Sequence, residues 1–367
     1  MTECRQRFVS PVWIGFLLNL AFESSRIFIP LLTVDIGGTV MDVGLVGAAN
    51  GLAFFAAAFV FGRQADIFGR LRFVRIGLGL SALAFLSQLV AFNVTALLVV
   101  RTFVGFAMGI TTGALLVFAY ENRGGVGKFS SFGALGLIGG SVVSAIIKEY
   151  NLLFILSFLS SAVAFFLSLR LEEYNKYQKA PVSRYFPVIW RNRAVYLPFF
   201  LRQLGASAIW IIFPLFLREL GADKFWIAMV VTANYAGQAV LMGVVERFTG
   251  RGLFRLGLIL SGVVFLLYTV TAHVYHVLPV QVLLSGAWSL LYIEALVLLL
   301  RSGEEKGTAT GILVASTNLC MALGPFLGGL LSSLWGFHAP MFAAAALSFA
   351  GLWWAPRQGR ACNVKAL

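Results

Sequence analysis

Twelve stretches of this chain stay apolar for roughly twenty residues each, the length that one helix needs to cross a bilayer. They run over 11–32, 43–61, 73–92, 94–120, 129–147, 151–169, 194–217, 225–245, 256–272, 279–300, 308–334 and 340–355. A hydrocarbon core about 30 Å thick is crossed by roughly 20 residues rising about 1.5 Å each. The expected class is therefore an all-α membrane protein with twelve transmembrane helices. Composition supports it: 59% of residues are hydrophobic and 12% are charged, where a soluble domain carries about a quarter charged. Cys4, Cys320 and Cys362 are too few and too scattered for a disulfide framework or a metal site. No metal and no cofactor is expected. The first run contains Glu23 and Arg26 and lacks a small-residue exit, so it is expected to be retained rather than cleaved as a signal peptide.

Lys and Arg set the orientation. With the N-terminus in the cytoplasm, 22 of the 28 basic residues fall on inner segments, and only Lys148, Arg218 and Lys224 fall on outer loops. Arg26, Arg101 and Arg202 lie inside runs. Both termini are expected to be cytoplasmic, in a multi-pass protein of the cell membrane. The same asymmetry accounts for the net charge of +13. No water-facing module carries a basic patch, so nucleic acid is not an expected partner.

The longest polar stretch, "RLEEYNKYQKAPVSRYFPVIWRNR" at 170–193, follows the sixth run and divides the chain six plus six. The halves share features at similar offsets. Pro30 aligns with Pro214, offset 184, which sets Asn19 on Gln203. Gly62, Gly69 and Arg70 align with Gly243, Gly250 and Arg251, offset 181. Gly139-Gly140 aligns with Gly328-Gly329, offset 189. The expected division is 1–169, a cytoplasmic linker 170–193, and 194–367 with a short basic tail. Parallel repeats of this kind are a transporter architecture.

Between the second and third runs stands "GRQADIFGRLR", 62–72, a charged interruption of a very apolar chain. It has no G-K-[ST], so a phosphate-binding loop is excluded. Its Gly62, Asp66, Gly69 and Arg70, with Arg72 following, match the G-x-x-x-D-x-x-G-R signature of the major facilitator superfamily. Arg101 and Gly105 match its R-x-x-x-G pattern in the fourth helix. On these motifs and the duplicated halves the chain resembles that family over nearly its whole length. Ile67 and Leu71 depart from the fullest signature, which often has basic residues there. The resemblance implies two pseudo-symmetric six-helix halves around a cavity lined by the first, fourth, seventh and tenth helices. It implies that the 62–72 loop is a gating motif stabilising the outward-open state. Physically, glycines permit a tight turn, and a lock made in one state and broken in the other biases a two-state equilibrium.

Ionisable residues inside a membrane are costly and mark function. Here they are Glu23, Arg26, Arg101, Arg202 and Glu294, on the first, fourth, seventh and tenth runs. Asn19, Glu23, Arg26 and Pro30 recur at helical spacing on one face. Counting from the run ends puts Glu23 about 12 Å and Arg101 about 11 Å from the outer surface, a depth at which they can pair. Arg202 and Glu294, about 12 and 9 Å from the inner surface, can pair as well. A buried carboxylate near a cation suits proton coupling. Gln203, Trp210, Asn234, Gln238, Trp288 and Tyr292 are weaker candidates for the substrate wall, and helix–helix hydrogen bonding is the alternative for Asn234 and Gln238. Gly105, Gly136, Gly139, Gly140, Gly324, Pro325, Gly328 and Gly329 mark close helix packing. His273, His276 and His338 are expected on outer loops. Glycines of "GALGLIGG", 133–140, stand in the fifth run without the proline of the family's antiporter signature, and "GPFLGG", 324–329, stands in the eleventh.

The expected function is that of a monomeric secondary active transporter moving a small, amphiphilic organic solute by alternating access, coupled to protons and leaning to efflux. The alternatives are uncoupled or symport uptake of a small polar metabolite. From another class come a membrane-embedded lipid-acting enzyme and a non-transporting sensor. The enzyme would need convergent nucleophiles or metal ligands within the membrane, and the runs contain no His.

Overall fold

A computed structural model describes residues 11–121, 126–172, 185–245, 248, 252–303 and 305–356. Helices α1 (Pro11–Arg26) and α2 (Ile29–Asp35) form one broken traverse, followed by α3 (Val40–Phe68), α4 (Arg70–Ser87), α5 (Val94–Glu121), α6 (Val126–Ile147) and α7 (Tyr150–Leu169). After the short α8 (Tyr185–Arg191) come α9 (Arg193–Glu219), α10 (Lys224–Val245), α11 (Leu253–Thr269), α12 (Val274–Leu300), α13 (Lys306–Trp335) and α14 (His338–Trp354). The described residues contain no strand. Ten of the described helical stretches are long and apolar enough to cross a membrane. Helices α11 and α14, at 17 residues each, are shorter. Large apolar side chains face outward along the helices, Phe59 and Trp353 among the most exposed, as a surface in contact with lipid requires.

Three local features differ from the sequence reading. The first run is one traverse in two pieces. Pro30 lacks an N–H and its ring collides with the carbonyl four residues back, so the helix stops at Arg26 and restarts at Ile29 with the proline in its first turn. Its counterpart Pro214 lies inside the continuous α9. The interruption at 62–72 is not a loop of that length. α3 runs on to Phe68, Gly69 alone turns the chain at φ 112°, and α4 starts at Arg70. A φ of that sign is open to glycine and costly for residues with a Cβ. The stretch 170–193, read as a linker, contains α8 and the first residue of α9. Val188 of α8 is buried, and Arg191 pairs with Glu305 at 2.7 Å; residues 173–184 lie outside the described residues.

Packing repeats itself along the chain. In the first part α1 packs on α6 and α7, α5 on α3 and α4, and α4 on α7. In the second, α9 packs on α13 and α14, α12 on α10 and α11, and α11 on α14. Numbered from the start of each set, the partners correspond. Two extensive seams join the sets, α3 with α13 and α6 with α10. The two seams correspond, because each joins the second long helix of one set to the fifth of the other.

The apolar cores tell the two ends of the bundle apart. One cluster joins both sets, with Phe28, Leu31, Val43 and Ala145 against Ile212, Phe216, Val231 and Tyr268. It lies at the end carrying the α2–α3, α6–α7 and α9–α10 turns. Towards the opposite end, one cluster around Leu18, Val74 and Phe118 stays within the first set, and another around Phe199, Leu258 and Leu299 stays within the second. Among the described residues the bundle is therefore sealed at one end and parted at the other. Ion pairs top the seal: Arg218 with Asp35 at 3.0 Å, and Lys148 with Asp223 at 2.9 Å. Lys224 donates to the Lys148 carbonyl at 2.8 Å and lies 3.6 Å from the centroid of the Tyr150 ring.

Candidate functional site

Below the seal, between the two sets, lies a chamber of about 420 Å³ walled by Asn19, Arg26, Arg202, Gln203, Trp210, Trp288 and neighbours. A smaller chamber of about 100 Å³ adjoins it towards the seal and takes in Glu23, Asn50 and Arg101. Phe22, Arg26, Trp210, Met321 and Pro325 border both. A wider depression of about 540 Å³ beside Arg72, Arg75 and Glu172 is only a shallow dent in the outer surface. The volume and mixed lining of the 420 Å³ chamber are those of a small-molecule site.

Glu23 is fully buried on α1. Its Oε2 accepts from Arg26 Nη2 at 2.6 Å, one helical turn away, and from the Tyr235 hydroxyl of α10 at 3.1 Å. Arg26 Nη2 also donates to the Tyr235 hydroxyl oxygen at 2.9 Å. The three side chains close a triangle across the two sets. Glu23 Oε1 and Arg26 Nε, both buried, have no hydrogen-bond partner among the described residues. Burying a carboxylate oxygen unpaired is costly.

Depth counting led to different partners. Arg101 lines the small chamber with Glu23, but its Nη1 donates to Gln88 Oε1 at 3.1 Å. Glu23 and Arg101, whose depths allow a pair, are not paired; Arg26 reaches the carboxylate from the same helix face. Arg202 does not pair with Glu294. Its Nε donates to Ser261 Oγ at 3.0 Å and its Nη1 to Gln203 Oε1 at 3.1 Å. Its guanidinium lies 5.0 Å from the centroid of the Trp288 ring. Glu294 is buried in α12 and lines neither chamber. Depth fixes position along the membrane normal, whereas the direction around each helix decides which side chains meet.

Arg101 and Gly105 act at one place. The Arg101 carbonyl accepts from Asn50 Nδ2 at 2.7 Å, and a Cβ at Gly105 would strike the Asn50 carbonyl oxygen. The R-x-x-x-G spacing thus seats α5 on α3. Asn234 and Gln238 both border the main chamber and bond within the helix layer: Gln238 Nε2 donates to Asn234 Oδ1 at 2.6 Å, and Asn234 Nδ2 to Gln281 Oε1 at 3.1 Å. Asn19 sits at the chamber wall with its amide turned to the Gly15 carbonyl. Trp210 borders both chambers, while Tyr292 stacks behind Trp288 with centroids 5.2 Å apart.

The candidate packing glycines occupy different surroundings. Added Cβ atoms would meet the backbone of Phe16 at Gly136 and of Ala208 at Gly328. At Gly140 the Leu20 carbonyl oxygen would lie 2.8 Å away, and at Gly329 the Gly44 Cα would lie 2.7 Å away. Gly324 abuts Ser207, and Pro325 presents its carbonyl to Gly44. Gly139 has ordinary contact distances only. Of the expected gating residues, Gly62 faces open space, Gly69 makes the turn, Arg70 opens α4 and Arg72 is exposed; the Asp66 side chain lies outside the described residues. Nearby Arg75 donates to the Ser168 and Leu171 carbonyls at 3.2 and 2.8 Å, capping the end of α7. His273 stands in the turn before α12 and caps it, as expected of a loop residue, whereas His276 lies in the first turn of α12 and His338 opens α14. No metal-binding group of three His, Cys, Asp or Glu occurs among the described residues.

Reasoning from sequence missed Tyr235, Gln88, Asn50 and Ser261. Only Tyr235 carried a usable signal, a hydroxyl in an apolar run one residue from Asn234.

A family model described as Major Facilitator Superfamily matches residues 12–201 and again 195–361. No curated protein matches by sequence. Among solved structures, the nucleoside transporter NupG superposes with a TM-score of 0.79 at 15% identity, covering 94% of this chain and 98% of its own. The D-xylose-proton symporter superposes at 0.76 and 14% identity, covering 94% and 97%. The human organic anion transporter MFSD10 superposes at 0.72 and 18%, also covering 94% and 97%. At such identities the likeness carries the fold and no substrate.

Proposed function

The chain belongs to the Major Facilitator Superfamily, and from that premise we propose that it moves a small amphiphilic organic solute by alternating access, with Glu23 carrying a coupled proton. It is a multi-pass integral membrane protein, and it is a transporter rather than an enzyme. In this reading it has twelve traverses and both termini lie in the cytoplasm, which the distribution of Lys and Arg supports. Segments 1–169 and 194–367 are the moving halves and 170–193 joins them. The sealed end then faces outward and the chambers open to the cytoplasm. The protein works as a monomer, and the direction is efflux in exchange for protons.

One observation carries the coupling. Glu23 and Arg26 on α1 meet Tyr235 on α10, so the carboxylate's charge acts directly on a contact between halves. Protonating Glu23 removes the negative charge that holds Arg26 and the tyrosine hydroxyl together. The contact then favours the two states of the transporter unequally, which is the requirement for a ligand to shift an equilibrium. The unpaired Glu23 Oε1 gives the proton a place to bind.

The test is solute-driven proton movement in proteoliposomes loaded with a pH-sensitive dye and screened against amphiphilic organic compounds. For a solute that gives a signal, Glu23→Gln should abolish both the proton movement and gradient-driven accumulation, while solute exchange at equal pH persists. Accumulation by Glu23→Gln equal to wild type would remove Glu23 from the coupling step.

A further inference from the structure

Taking the chain as a transporter of a small organic solute, we propose that this solute is an organic anion with a planar apolar body, and that Arg202 receives its negative group. The charge balance of the chamber walls is the first ground. Three arginines line the two chambers, Arg26, Arg101 and Arg202, against a single carboxylate, Glu23. Glu23 is committed to Arg26. Arg101 and Arg202, each 3% exposed, form no ion pair among the described residues. Two buried cations without counter-ions are expensive to keep. An entering anion supplies the missing charge, whereas an entering cation adds a third.

The second ground is geometric. A guanidinium presents five N–H donors in a planar fork. Arg202 commits one on Nε to Ser261 and one on Nη1 to Gln203. Its Nη2 donors are not engaged by any described residue. That leaves one edge of the fork for a carboxylate or similar planar anion, which such an edge binds through paired hydrogen bonds. Ser207, five residues along α9 and bordering the same chamber, has a buried Oγ without a partner among the described residues. It offers a further donor.

The third ground is the apolar surface beside the cation. Arg202 lies against the Trp288 ring, itself stacked on Tyr292 at an interplanar angle of 21°. Trp210 borders the same chamber. A flat ring system bearing an anion would lie along this aromatic wall with its charge at Arg202. The chamber volume of about 420 Å³ accepts a body of two fused rings.

The test uses three probes with one ring body and three charges: 2-naphthoate, 2-naphthamide and 2-naphthylmethylammonium. Each is titrated calorimetrically into the full-length protein in nanodiscs. The expected order is naphthoate first, by about tenfold or more over the amide, with the ammonium weakest. Arg202→Gln should remove the preference so that naphthoate and the amide bind alike. Arg202→Lys should retain part of it, since the charge stays and the fork is lost. The proposal is overturned if the amide or the ammonium binds as tightly as naphthoate, if none of the three binds, or if folded Arg202→Gln keeps wild-type naphthoate affinity. Should neither variant fold, the ranking on the wild-type protein decides alone. Flux is read separately by counterflow in proteoliposomes. Arg202-dependent binding of naphthoate without flux would leave the site standing and count against the transport reading. Flux of the ammonium indifferent to Arg202 would do the reverse.

Discussion

Tyr235 is the residue on which the proposed coupling turns, since its hydroxyl hydrogen-bonds to both members of the Glu23–Arg26 pair. Tyr235→Phe keeps the ring and removes the hydroxyl. Glu23 and Arg26 then remain paired within α1 but lose their tie to the other half. A hydrogen bond to a charged group contributes about 1.5–3 kcal/mol, so the expected loss in coupled transport is about tenfold or more, with solute binding changed far less. Solute-driven proton flux compared with calorimetric affinity measures this. Equal losses in both would make Tyr235 a mere packing residue. The sequence makes Glu23, Arg26, Arg101 and Arg202 legible, because a charge inside an apolar run is rare and conspicuous. It does not make their partners legible. Gln88 is a neutral amide at a helix end, Ser261 is a small hydroxyl in an apolar run, and neither stands out until the helices are assembled.

Among the elements, the seam of α3 with α13 shows how small residues set a conformational equilibrium. A Cβ at Gly44 would fall 2.7 Å from the Pro325 carbonyl oxygen and 2.8 Å from the Gly329 Cα. These are backbone atoms that cannot swing away. By contrast, Gly62 on α3 and Gly311 on α13, towards the parted end, have nothing within 4 Å. The glycines therefore matter where the seam is closed. Gly44→Val should prevent this closure and populate the opposite state. Gln238→Cys, placed in a background with Cys4, Cys320 and Cys362 replaced, reports on this, since Gln238 lines the main chamber and is part-exposed. In the parent, an impermeant maleimide should reach it from the parted end. In Gly44→Val, labelling should rise from the sealed end and fall from the other. Unchanged labelling would mean that the seam yields by other means. The elements themselves were largely legible, because a run of roughly twenty apolar residues has few ways to exist in a bilayer. The breaks were not. Pro30 splits one traverse while Pro214 leaves its counterpart whole, and a proline alone does not say which will happen. The one-residue turn at Gly69 is equally invisible, since the charged residues around it read as loop but complete the last turn of α3 and the first of α4.

For the molecule as a whole, the question is which interactions hold the sealed end shut and which of them respond to pH. The pairs Asp35–Arg218 and Lys148–Asp223 both cross between halves, but their side chains are 40% or more exposed. Exposed pairs contribute about 0–1 kcal/mol each and weaken with salt. The buried apolar cluster beneath them removes many large side chains from water, each contributing about 1.5–3 kcal/mol. The apolar cluster is therefore the main seal, and the ion pairs bias it. The double variant Asp35→Asn, Asp223→Asn should open the sealed end by about thirtyfold at most in low salt, and high salt should shrink the difference. Titration adds a sharper constraint. The carboxyl of Asp223 is held below its ordinary value, first by the Trp226 backbone N–H and then by Lys148. A depressed carboxyl keeps its ionic contact above the ordinary carboxylate range and loses it only as pH falls through the lowered value. Asp223 thus stays ionised across about pH 5–8, where secondary transport is driven, and cannot be the proton sensor in that window. If Glu23 is the sensor, the pH profile of transport in the double variant should keep the wild-type shape while its amplitude changes. The profile of Glu23→Gln should go flat. Rates of solute exchange measured from pH 5 to 8 in matched proteoliposomes distinguish the two loci. A double variant with a displaced profile, beside a Glu23→Gln profile that keeps its slope, would move proton sensing from the cavity to the sealed end.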